Sequence, residues 1–278
     1  MVLSTAQDCS RQIRDFTERG YLVIPSALTA AQIAALNRSI ESDIERHGND
    51  WVQFNEALTQ TPDILSRTAE LDFTIENPVV LDFLRQVIGE DVTFEEFLVM
   101  IREPTERPQD FKGWHRDLIR DYDRRMEIEY LSVIYYLTDV GPEDHCFSIV
   151  PETHARLVDL RPEEITPGSE VDVTGPAGTA IVFHGRAIHA GKHKPASRQR
   201  RTVHISYWSA GKPRAQEWTP IPRRLYERTN PLLPPQLYSK HAVTEVVDGV
   251  GRRPPDLDPS LPVADIIREV HRRASRRI

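Results

Sequence analysis

Cysteine is nearly absent from this chain, with two residues, Cys9 and Cys146, among 278. Two thiols can form neither a disulfide framework nor a cysteine-rich zinc site, and they fit a reducing, cytoplasmic setting. A basic excess is also missing. The formal charge is −7 and the pI is near 5.8, which argues against a partner surface of nucleic acid or anionic membrane. No apolar run approaches the roughly 18 residues that span a bilayer. The first residues lack a basic segment followed by an apolar one, so no secretory signal is expected. The hydrolytic His-Glu-x-x-His helix signature and internal repeats are absent too. With 39% hydrophobic and 28% charged residues, the chain reads as a globular protein able to bury a sizeable core.

The first third reads as helical with one strand. Apolar periodicity predicts a helix over residues 5–19, stopped by Gly20, and a short strand follows at Tyr21-Leu22-Val23-Ile24-Pro25. Thr29 is placed to cap a long amphipathic helix carrying Ile33, Leu36, Ile40 and Ile44, and residues 78–88 form another. Strands are expected at 94–103, 130–139, 146–150, 179–183 and 202–208, with a turn at Gly175-Pro176-Ala177-Gly178. Short strands separated by turns predict a mainly β fold with α decoration. Its core would be a double-stranded β-helix, a cupin-like jelly roll whose two sheets enclose a cavity, with N-terminal helices. The expected organisation is a single domain over 1–278. It comprises a mainly helical part (1–92), the jelly-roll catalytic core (93–210) and a proline-rich extension (211–278) ending in a helix over 262–278. Residues 118–129 are dense in charge of both signs and read as a solvated loop.

Gly113-Trp114-His115-Arg116-Asp117 carries the chemistry. On an extended chain His115 and Asp117 project to the same side and can share a metal ion. The pair gains meaning only with a third ligand, available in Phe183-His184-Gly185-Arg186-Ala187-Ile188-His189, after which Arg200 stands eleven positions beyond His189. Two imidazoles and one carboxylate on one side of a metal leave open positions, an arrangement suited to non-haem Fe(II). Zinc in a hydrolase is the competing reading.

These segments together resemble the phytanoyl-CoA dioxygenase family of Fe(II)- and 2-oxoglutarate-dependent oxygenases. The resemblance runs from Gly20-Tyr21-Leu22-Val23-Ile24-Pro25 to about Trp208. It takes in Trp114-His115-Arg116-Asp117, Leu137-Thr138-Asp139-Val140, Val150-Pro151-Glu152-Thr153-His154, His189-Ala190-Gly191 and Arg200-Arg201. It implies His115, Asp117 and His189 as metal ligands and Arg200 as the anchor of the distal carboxylate of 2-oxoglutarate. Tyr135 falls where the family has a further co-substrate contact. By strand alternation Thr202, His204 and Ser206 share the face of Arg200, a polar row suited to the co-substrate pocket with Thr202 as a further 2-oxoglutarate contact, while Arg201 points away. The chain departs from the family where Pro-Gly-Ser-His becomes Pro151-Glu152-Thr153-His154, and where an Asn common after the distal His is replaced near Lys194. Asp117 is intact, which implies oxygenation rather than halogenation.

The resemblance thus implies Fe(II), 2-oxoglutarate and O2 as cofactor and co-substrates. The reaction would be oxidation of a small organic molecule, coupled to release of succinate and CO2. Among the other polar residues, His184 is the chief rival to His189. His154 and His193 read as loop residues, Arg116 as a rim residue, and Tyr207, Trp208 and Trp218 as core or homodimer contacts. A zinc- or manganese-dependent cupin-like hydrolase or isomerase, and a jelly-roll binding protein without turnover, stand as the alternatives.

Overall fold

The computed structural model describes residues 6–55, 57–61, 64–106, 113–117, 130–155, 165–166, 168–209 and 222–238. The charged stretch 118–129, Trp218 and the expected C-terminal helix lie outside them.

Helix α1 (Ala6–Arg19) ends where Gly20 adopts a φ of 82°, a left-handed conformation that costs glycine no Cβ clash. Strand β1 (Tyr21–Ile24) follows at once. Helix α2 (Ala30–His47) opens on a capping box, in which Thr29 Oγ1 accepts from the Gln32 amide and the Gln32 side chain accepts from the Thr29 amide. Helix α5 (Pro78–Ile88) starts with proline in its first turn. Its cap, Asn77, accepts from the amides of Val79 and Val80 and donates to Ala27 O at 2.8 Å, tying the helix to the chain after β1.

The sequence pattern missed one β-hairpin in the first third, β2 (Val52–Asn55) and β3 (Leu58–Thr61). Between it and α5 lie two single-turn helices, α3 (Ile64–Arg67) and α4 (Asp72–Ile75). The remaining strands are β4 (Val92–Arg102), β5 (Tyr130–Tyr136), β6 (Cys146–Ile149), β7 (Val171–Val173), β8 (Ala180–His184), β9 (His189–Lys192) and β10 (Arg200–Ser209). A last single turn, α6, spans Arg223–Tyr226.

The strands form a seven-stranded sheet, ordered β1-β8-β5-β10-β4-β3-β2, facing a three-stranded sheet, β7-β6-β9. All their pairings are antiparallel, the architecture of a jelly roll with helices added. The N-terminal third is therefore part of the sheet as well as its cover, because β1, β2 and β3 hydrogen-bond into it.

The two faces of the large sheet do different work. On its helical side Val133, Tyr135, Val182, Val203, Ile205 and Tyr207 pack against Phe16, Leu36, Leu65 and Leu84 in the main core. Toward the small sheet Ile134, Tyr136, Ile181 and Phe183 meet Phe147, Ile149 and Val173 in a second cluster. The same inward face of β10 carries Arg200, Thr202, His204 and Ser206, paired with Tyr136, Ile134 and Ser132 of β5 and with Arg102, Met100, Leu98 and Glu96 of β4. A polar row inside a jelly roll marks where ligands enter. No described helix is long and apolar enough to cross a membrane.

Candidate active site

His115 and His189 meet across an isolated antiparallel bridge, each amide donating to the other's carbonyl at 3.0 Å. This ties the segment holding Asp117 to the start of β9. His115 Nδ1 lies 2.7 Å from Gly113 O, and His189 Nδ1 lies 2.9 Å from Ala187 O. A carbonyl can only accept, so each Nδ1 carries a proton, which leaves Nε2 as the atom of each ring able to offer a lone pair to a metal. Both Nε2 atoms face Asp117 Oδ1, at 3.6 Å from His115 and 3.3 Å from His189. The second carboxylate oxygen accepts from Ser132 Oγ at 2.8 Å, which fixes the plane of the group. Phe183 and Phe147 pack on the His189 ring, with centroids 4.5 and 5.5 Å away.

Electrostatics follow from that geometry. Burial, reinforced by neighbouring His189, lowers the pKa of His115. Burial also acts to lower that of His189, but the Asp117 carboxylate outweighs it and the net shift is upward. For Asp117 burial acts upward, and the two imidazoles with the Ser132 hydroxyl overcome it, holding the acid well below the usual carboxylate range. One ligand atom from each of His115, Asp117 and His189 lies within 4.8 Å of the others. Two neutral nitrogens and one anionic oxygen grouped in this way fit Fe(II) and leave room on the metal for co-substrates.

Along β10 the inward row ends at Arg200, which is 4% exposed, with Nε and Nη1 buried and lacking any hydrogen-bond partner. Beside it in register stands Arg102, equally enclosed, whose Nη1 contacts His193 and whose Nε is also without a partner. Gly191 makes room for this arginine, since a Cβ there would come within 2.8 Å of its Nη2. Burial, then the charge of Arg200, pulls the Arg102 pKa down to about 9. Among the described residues no carboxylate pairs with either guanidinium, and a planar fork of free N–H donors has the geometry to pair with an anion. Arg201 points outward, ion-paired to Glu41 at 3.0 Å and bonded to Gln199. Thr202 sits inward next to Arg200, its Oγ1 3.0 Å from His204 Nε2.

Tyr135 does not join this site. It projects to the opposite face of β5, into the helix-side core, and donates to Thr74 O at 3.0 Å. The inward tyrosine is Tyr136, which pairs with Thr202, donates to Val173 O at 2.7 Å and accepts from the Phe147 amide. The rival His184 lies outside the cluster as well. Its ring stacks on His154 at 5.4 Å, and its Nδ1 accepts from the Arg186 amide. His193 touches Arg102 rather than the triad, and Arg116 donates to the carbonyls of Thr153 and Arg186. Sequence reasoning missed Ser132 and Arg102. Ser132 is the one polar residue in its strand's apolar run, and Arg102 closes β4 with the parity of Met100 and Leu98.

The family model described as phytanoyl-CoA dioxygenase (PhyH) matches residues 16–202. A probable alpha-ketoglutarate-dependent hypophosphite dioxygenase of Stutzerimonas stutzeri is 20% identical over 230 residues, covering 72% of this chain and 79% of the relative. An L-proline trans-4-hydroxylase of Streptomyces griseoviridis is 24% identical over 228 residues, covering 68% and 82%. The crystal structure of HygX from Streptomyces hygroscopicus, with nickel, 2-oxoglutarate and hygromycin B bound, superposes with a TM-score of 0.59 at 19% identity, covering 75% of this chain and 89% of that one. The residues that motif, fold and family model share lie in the jelly roll and its N-terminal cover, and this chain belongs to the phytanoyl-CoA dioxygenase family of oxygenases that use Fe(II), 2-oxoglutarate and O2.

Proposed function

We propose that this protein hydroxylates a small organic molecule, with His115, Asp117 and His189 as its iron ligands and Arg200 as the seat of the distal carboxylate of 2-oxoglutarate. The observation that carries this reading is a pairing. Three donor atoms converge where the His115–Asp117 segment bridges to β9 of the small sheet, and two buried guanidiniums with unpartnered nitrogens stand side by side on β10 and β4 of the large sheet.

His115, Asp117 and His189 would hold the iron, which would supply O2 activation for oxidative decarboxylation of 2-oxoglutarate to succinate and CO2 coupled to oxidation of a substrate C–H bond. The chain's own contribution is geometry. Carbonyls of Gly113 and Ala187 set the histidine tautomers, and Ser132 orients Asp117. Arg200 offers a planar fork that matches a carboxylate, Arg102 adds a second positive charge, and Thr202 keeps His204 turned along the pocket wall. Phe147, Phe183 and Ile134 line the sheets behind the triad and keep bulk water from that side.

Anaerobic addition of Fe(II) and 2-oxoglutarate should give a weak visible charge-transfer band, lost in His115→Ala and Asp117→Ala together with iron affinity. Aerobic turnover should release succinate. A folded, metal-loaded protein that shows no band and does not bind 2-oxoglutarate would overturn the reading in favour of a hydrolytic metal site.

A further inference from the structure

The inward rows of β4 and β10 are cationic at one end and acidic at the other. Glu96 lies six residues along β4 from Arg102, roughly 20 Å at the rise of a strand. Its register partner is Ser206, whose own partner is Ser132, the residue that orients Asp117. Two strand spacings place Glu96 roughly 10 Å across the sheet from Ser132. On β4 the alternation is clear. Phe97 and Val99 are sealed in the core, while Glu96, Leu98 and Met100 keep partial exposure to the cavity.

Glu96 has neither a hydrogen-bond donor nor a cation against it among the described residues. The charges that act on it are both acidic, Asp117 and Glu95. The nearby Tyr130 hydroxyl is engaged with Ser206. Burial, then those two acids, pushes Glu96 up to about 8. A largely desolvated acid beside two others disfavours the fold, and no contact among the described residues requires it.

We infer that Glu96 is a substrate-recognition residue, whose carboxylate receives a protonated amine of the substrate and thereby holds a carbon within roughly 10 Å of that nitrogen at the metal triad. This rests on the reading of His115, Asp117 and His189 as the oxygenase metal site. The polarity of the cavity selects the cation. Both arginines stand at the far end, where the co-substrate's carboxylate is bound. The histidine between, His204, is held neutral by burial and by Arg200, its pKa lowered to about 3. A substrate carboxylate would meet like charge beside Glu96 and Asp117. A hydroxyl brings no charge to favour the ionised form, which burial and the two neighbouring acids otherwise hold protonated at neutral pH, whereas an ammonium does.

The test uses protein loaded with Ni(II) and 2-oxoglutarate. The probes are primary and secondary amines, together with alcohols and carboxylic acids of the same carbon skeletons, and binding is followed by ligand-observed NMR and calorimetry. The tightest binders should be amines. Glu96→Gln, which keeps the shape and removes the charge, should weaken them at least tenfold, and Glu96→Asp should weaken them less. Affinity for 2-oxoglutarate should stay the same in both. Amines bound equally well by Glu96→Gln, a preference for alcohols or acids, or no amine bound at all would each overturn the proposal while leaving the metal site intact. Failure of the parent protein to take up Ni(II) with 2-oxoglutarate would instead remove the metal-site reading on which it stands.

Discussion

Replacing Arg200 by methionine should make the ligand-free protein more stable and at the same time cripple co-substrate binding. Arg200 is a charged group in the interior with no carboxylate paired to it among the described residues and a second guanidinium as its cross-strand neighbour. Like charges directly opposite on a sheet repel, and an unpaired buried charge carries a desolvation penalty of several kcal/mol. Methionine of similar length fills the space without either cost. A gain of about 1–3 kcal/mol is expected after allowing for imperfect packing. At roughly 2–4 °C per kcal/mol for a domain of this size, the melting temperature should rise by about 2–12 °C.

Binding should move the other way. A bidentate pair loses two charge-assisted hydrogen bonds of roughly 1.5–3 kcal/mol each, but Arg102 remains to hold part of the anion. A net loss near 3 kcal/mol corresponds to about a hundredfold weaker affinity for 2-oxoglutarate. Thermal unfolding of Ni(II)-loaded protein, with and without 2-oxoglutarate, reads both effects, because ligand stabilisation follows RT ln(1 + [L]/Kd). Arg201→Met is the control. It breaks an ion pair to the exposed Glu41, worth at most about 1 kcal/mol, and should leave 2-oxoglutarate binding unchanged. The reasoning fails if Arg200→Met melts below the parent, if its co-substrate affinity holds, or if Arg201→Met shows the same loss.

Ser132→Ala should weaken metal binding by roughly 10–100-fold without unfolding the protein, since it removes the donor that orients Asp117; calorimetric titration of Ni(II) measures it. Asp172 sits in a network with Lys192, Lys194 and Ser148, and these contacts outweigh burial to hold its pKa at about 2. Its folded pKa is depressed, so its contribution is fully present above pH ~4 and disappears as pH falls toward 2. Asp172→Asn should cost about 1–2 kcal/mol at neutral pH, and urea melts of the two proteins should converge near pH 2. Glu152 holds a φ of 66°, the left-handed region that favours glycine. Glu152→Gly should raise stability by up to about 1 kcal/mol, seen as a higher urea midpoint at unchanged slope.

What the sequence could disclose divides along one physical line, between parity within a strand and pairing between strands. Alternation from Arg200 through Thr202, His204 and Ser206 is local, and it sorted Arg200 inward and Arg201 outward without any knowledge of neighbours. The family resemblance pointed to Tyr135, and alternation could not correct it because β5 is buried on both faces, so that a continuous run such as Tyr-Leu-Ser-Val-Ile-Tyr-Tyr hides its phase. Ser132 was the one local clue. As the polar member of the run it shares parity with Ile134 and Tyr136, which points to Tyr136 as the inward tyrosine. Other parts of the site have no local signature at all. Arg102 becomes an anion ligand only because β4 pairs with β10 in a register that sets it beside Arg200, and Gly191 matters because β9 lies under that guanidinium. Glu96 is the extreme case. In the sequence it is one acid beside another, Glu95, on a mostly apolar strand. Its lack of a cation among the described residues is a property of three strands and a loop brought together by folding. The proposed metal triad has a signature in the sequence because His115 and Asp117 stand two residues apart and Arg200 follows His189 at the spacing that the family resemblance implies. Residues that receive a substrate have no such constraint, so their chemistry emerges only from the assembled sheet.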